Sequence, residues 1–234
     1  MKKFELTTES ITNVAGKKLF RIKALVEFGD VKAGELGGYV EKEGNVSQAD
    51  NAWVYGDARV YDNAWVYGDA RVSGDARVSG DARVSGDARV SGDAEVYDNA
   101  WVYGDARVYG DAEVYDNAWV YGDAWVSGNV RVSGNAWVYG NAWVSGNVRV
   151  SGDARVSNNA DYALVQGFGT KFRCTTFYRG KNKKIMVNCG CFHGDLEEFR
   201  KQVKETRSGK IAKEYLMIAD LMEYHFASED SDDE

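Results

Sequence analysis

Valine occupies every sixth position from Val54 to Val156, eighteen consecutive hexads without a slip. Two residues before each of these valines stands a small apolar residue, Ala at most positions and Val at 130 and 148. Two residues after each stands Gly, or Asp or Asn at 62, 98, 116 and 158. In a strand, residues i and i+2 share a face, so the Val and its small partner point one way and the residues flanking the Val point the other. Gly, Asp and Asn tolerate left-handed backbone at a corner, and a following Asp or Asn can hydrogen-bond the turn. The pattern predicts a short strand, a corner and another short strand, repeated.

The unit Val-x-Gly-Asp-Ala-x resembles the hexapeptide repeat of left-handed parallel β-helix proteins, in which three hexads make one triangular coil. The resemblance implies an all-β solenoid of about six triangular coils over residues 45–165, a prism roughly 29 Å long at about 4.8 Å per coil. Residues 1–44 begin with strand-like alternation and slide into imperfect hexads at Val40 and Val46, as an N-terminal β cap does. Residues 166–227 read as a small α+β cap of ββαα order. A hairpin turns at Arg179 to Lys184, Asp195 and Glu198 mark a helix start, and apolar residues 211, 215, 218, 222 and 226 form a stripe on a second helix. Residues 228–234 form a disordered acidic tail by composition. The wording of the first 44 residues, the "WVYGDARV" repeats and "IMVNCGCFHGDLEEF" is similar to a group of hexapeptide-repeat proteins common in phages and bacterial mobile elements.

The chain has 234 residues, 44% of them hydrophobic, no proline and a net charge of −7. An acidic balance argues against direct nucleic-acid binding, which draws its affinity from Lys and Arg. The first residues hold lysines but no apolar signal segment, and no run of about 18 apolar residues offers a membrane span, so a cytoplasmic location is expected. Three cysteines, an odd number, fit a reducing compartment.

Taking every eighteenth residue at the outward position before valine separates three faces. A charged face reads Arg59, Arg77, Glu95, Glu113, Arg131, Arg149. A mixed face reads Trp53, Arg71, Arg89, Arg107, Trp125, Trp143. An aromatic face reads Trp65, Arg83, Trp101, Trp119, Trp137, Arg155. On the last, Trp101, Trp119 and Trp137 run beside Tyr103, Tyr121 and Tyr139, an outward patch of about 500 Å², at the upper end of what monomers leave bare. Cross-rung stacking covers ring faces but leaves edges wet. The patch therefore reads as a homo-oligomer interface first, and as a docking surface for a host protein second. The turn residues Arg179, Lys181, Lys183 and Lys184 offer a second binding surface, suited to a nucleotide phosphate.

Catalysis is not expected, and neither is a cofactor. Enzymes of the β-helix class mostly transfer acyl groups through a histidine, and this chain has only His193 and His225, both outside the hexads. An acyltransferase-like enzyme using His193 is the alternative. Cys189, Cys191 and His193, read as alternating on one strand with Cys174 on its partner, suggest zinc, but free cysteines continuing an apolar core fit better, so no metal is expected. The stacked aspartates 57, 75, 93, 111 and 69, 87, 105, 123 are expected to cap their own turns rather than hold Ca²⁺. The resulting expectation is a non-catalytic, self-associating acidic rod that binds a host component, with two finer variants: a host-defence inhibitor acting by charge mimicry, or one acting by nucleotide sequestration.

Overall fold

A computed structural model describes residues 2–227. Every hexad forms a short strand, β4 (Trp53–Val54) to β21 (Arg155–Val156), and strands 18 residues apart pair in parallel, so that Val102 lies between Val84 and Val120. The result is a three-faced parallel β-solenoid with two six-stranded sheets and one of nine strands. The hexad Val side chains and their Ala or Val partners fill the interior, nearly all with no solvent exposure. Backbone hydrogen bonds join each coil to its neighbours, as Trp101 N donates to Ala118 O at 3.0 Å. Both kinds of backbone group are left at an end of the stack: at the C-terminal end the Trp143 and Arg149 carbonyls accept from Tyr162 and Asn188 side chains of the cap.

The corners are built as the pattern predicts. Gly86 sits at φ +65° and Asp62, Asp98 and Asp116 at 57–61°. Asn158 differs: its backbone is extended at φ −154°, and its side chain caps the 3-10 turn Asn159–Asp161 by accepting from Ala160 N.

At the N-terminal end, β1 (Phe4–Thr12) and β2 (Lys18–Ala24) pair antiparallel, and β2 leads to β3 (Leu36–Val40), which pairs in parallel with Arg59–Val60. Val46 bridges Val66, so the imperfect hexads build one irregular coil before the six regular ones. The Lys3 ammonium donates to the carbonyls of Asp50 and Ala52, both at 2.8 Å, and burial pushes its pKa down to about 8 against the pull of Asp50. Asn45 donates to the Ala64 carbonyl at 2.9 Å. Trp53, assigned outward by alternation, is instead fully buried, because Phe4 and Phe28 of the cap close edge-on over its ring at 5.8 and 5.3 Å.

The C-terminal cap is a four-stranded antiparallel sheet followed by two helices. The strands are β22 (Tyr162–Phe168), β23 (Arg173–Arg179), β24 (Ile185–Cys189) and β25 (Phe192–Asp195); the helices are α1 (Leu196–Thr206) and α2 (Gly209–Phe226). β23 and β24 form the hairpin about the basic turn, and β22 and β25 add two strands that the sequence pattern did not separate. Phe177, Val187, Leu196, Phe199, Val203 and Phe226 share the cap's core, while Tyr178, next along β23, joins the solenoid core. Side-chain oxygens meet the exposed N–H groups of the last coil: Asn159 accepts from Trp143 N at 2.7 Å, Thr176 from Arg149 N at 3.2 Å and Asp161 from Ser157 N at 2.8 Å. The tail from residue 228 lies outside the described residues. No helix among the described residues is long and apolar enough to cross a membrane.

Candidate functional site

The in-register rungs stack the aromatic face into two parallel columns. Trp101, Trp119 and Trp137 lie 5.3 Å apart between ring centroids, within 9° of parallel. Tyr103, Tyr121 and Tyr139 stack beside them at 4.9 and 5.2 Å. The columns touch edge to face, Tyr103 on Trp119 and Tyr121 on Trp137, each at 6.2 Å. Arg83 and Arg155 close the tryptophan column at either end, their guanidiniums 4.8 and 4.1 Å from the Trp101 and Trp137 rings. Such cation–π contacts shield the outermost ring faces.

All six rings are half-buried. Burial, reinforced by the next tyrosine in the column, raises the phenol pKa of Tyr103 and Tyr121. What remains open is a ribbon of ring edges and hydroxyls across three rungs, flat because the backbone beneath it repeats. It is a rigid amphipathic surface without an acid–base pair.

The face that looks mixed in sequence carries a second, smaller stack. Trp125 and Trp143 lie 5.5 Å apart with Tyr109 edge-on, and Trp143 is 53% exposed. The signal for it was the clustering of tryptophan at one end of that face; the other end, Trp53, belongs to the core.

The basic turn lies at the corner near Asp153, whose carbonyl accepts from Lys181 N at 2.9 Å. Arg179 is engaged inside the protein, bonded to Asp161 at 3.1 Å and to the Phe226 carbonyl at 2.9 Å, and Lys184 pairs with Asp195 at 2.9 Å. Lys181 and Lys183 are exposed. The structure does not bring these residues together with the aromatic columns into one site.

Cys189, Cys191 and His193 do not share a strand. The chain turns at Gly190 and Cys191, so Cys189 ends β24, Cys191 sits in the turn and His193 pairs with Asn188 from β25. The alternation was broken by a tight turn at Gly190, whose φ of +64° only glycine adopts readily. Cys189 accepts from the Thr175 hydroxyl at 3.1 Å, and His193 Nε2 meets the buried Tyr178 hydroxyl at 3.1 Å. No group of three metal-binding side chains occurs among the described residues. The stacked aspartates make no caps to their own turns among the hydrogen bonds of the described residues; the corners are closed by backbone bonds between coils, such as Asp75 N to Gly92 O at 3.0 Å.

These features define a β-solenoid repeat protein whose most distinctive surface is an ordered aromatic ribbon. The sequence family described as "Bactofilin: Polymer-forming cytoskeletal" matches residues 64–163, and the "YdcK Beta solenoid repeat" matches residues 52–68. Among curated proteins none matches. The first match begins at the third hexad and ends at the start of β22, so it spans most of the regular coils.

Proposed function

We propose that this protein is a non-catalytic scaffold whose rods associate side by side through the aromatic face. The observation that carries the reading is the ribbon of Trp101, Trp119 and Trp137 beside Tyr103, Tyr121 and Tyr139, a flat surface of exposed aromatic edges suited to a second copy of itself. The polymer-forming description of the matched family supports self-association. The caps favour a lateral contact, because side chains already occupy backbone groups at both terminal rungs. A face shared between copies also keeps a large apolar surface out of water.

The test is the mass in solution, by light scattering after gel filtration, of the wild type and of Trp101→Ser/Trp119→Ser/Trp137→Ser. The wild type is expected to exceed the 25.9 kDa of one chain and the variant to return to it. A monomeric wild type, or an unchanged assembly in the variant, overturns the reading.

A further inference from the structure

Where the cap folds over the C-terminal end of the charged face, it encloses an open cleft of about 590 Å³. Arg131, Arg149 and Arg173 line it together with Asn129, Asn147 and Asn188, and no carboxylate among the described residues does. The volume lies within the range of small-molecule sites. A smaller cavity of about 240 Å³ shares Arg131, Arg149 and Asn188 with it and extends to Tyr115, Ser133 and His193.

Two of the three arginines in this cleft have no ion pair among the described residues. Along the charged face the outward column reads Arg, Arg, Glu, Glu, Arg, Arg, and its middle members pair between rungs: Arg77 with Glu95 at 2.7 Å and Arg131 with Glu113 at 3.0 Å. Arg149 is the register partner of Arg131 and has no ion pair among the described residues, nor has Arg173. Like charges directly across a rung are unfavourable unless an anion lies between them. The wall opposite is rigid, since the Asn188 amide donates to the Arg149 carbonyl at 2.9 Å, the Ser151 hydroxyl at 3.0 Å and the Tyr178 hydroxyl at 3.2 Å.

An aromatic platform ends at the same place. Tyr97 and Tyr115 stack at 5.0 Å and 1°, but the next residues in the column are Ser133 and Ser151, so the column of rings stops and leaves room above Tyr115. Arg149 lies two rungs beyond Tyr115, about 10 Å, a reach that a nucleoside with its phosphates covers.

We propose that this junction binds a nucleotide, with its phosphates on the Arg149 and Arg173 guanidiniums and its base stacked on Tyr115. Guanidinium forks match phosphate oxygens bidentately, and base stacking on an aromatic ring needs no particular base. The site is separate from the aromatic face, so it stands whether or not the rods associate there.

The experiment is calorimetric titration of the full chain with ATP, GTP, CTP, UTP and inorganic pyrophosphate. At least one nucleotide is expected to bind at one site per chain, more tightly than pyrophosphate. Arg149→Ser/Arg173→Ser should weaken it at least tenfold, and Tyr115→Ser should weaken the nucleotide while leaving pyrophosphate unchanged. Melting curves check that each variant is folded; if the double variant is not, Arg173→Ser alone, at an exposed position, should still cost severalfold. Absence of binding by every probe, or arginine variants that bind as the wild type does, overturns the site. Pyrophosphate binding as tightly as any nucleotide, or insensitivity of the nucleotide to Tyr115→Ser, overturns the nucleotide assignment.

Discussion

A left-handed corner followed by close backbone stacking sets the demands on single residues. At Gly86 the φ of +65° disfavours any side chain, and a Cβ there would lie 2.9 Å from the Gly104 nitrogen of the next coil. Gly86→Ala is therefore expected to lose more than about 1 kcal/mol, measured by chemical denaturation. The tyrosine column makes a second prediction. Because the folded state raises the Tyr103 and Tyr121 pKa values, their contribution to stability is complete below the unfolded value of about 10 and is lost as pH rises through the folded values. Thermal melts should show the wild type falling faster above pH 10 than Tyr103→Phe/Tyr121→Phe, with the two curves parallel below it.

Single elements end by the chemistry of their termini, and here the sequence was unevenly legible. Helix α1 starts with the expected reciprocal pair: Asp195 accepts from Glu198 N at 3.0 Å and Glu198 accepts from Asp195 N at 2.8 Å. Asp195→Ala should cost about 1 kcal/mol, again by denaturation. The strands, the three faces and the stacked ladder could be read because each depends on a period, and a period is local information. Lys3 reaching the Asp50 and Ala52 carbonyls, Phe4 and Phe28 covering Trp53, and the arginine cleft could not, because each joins residues from separate elements with no repeat to relate them. Cys191 was misplaced for a smaller reason: one glycine turned a continuing strand into a hairpin.

Across the whole molecule, the coil stack ends in bare backbone groups that side chains cover: Lys3 and Asn45 donate to carbonyls at one end, and at the other Asn159 and Thr176 accept from N–H groups while Tyr162 and Asn188 donate to the Trp143 and Arg149 carbonyls. A chain stopped after Asn158 would bare the Trp143 and Arg149 N–H groups and, without Tyr178, open the valine core to water. It is expected to stack end to end into fibres visible by negative-stain electron microscopy, whereas the full chain does not, since uncovered strand edges are templates for pairing.

The strict six-residue frame also restricts how such a gene can change length. Losing or gaining 18 residues, a slip of 54 nucleotides between near-identical copies, shortens or lengthens the rod by about 4.8 Å and returns every later residue to its own face. A slip of six residues preserves the valine core equally well but turns everything after it by a third of a circle, breaking the tryptophan column and carrying the cap away from the charged face. Selection for folding alone would accept both events; selection for the surfaces would keep only the first.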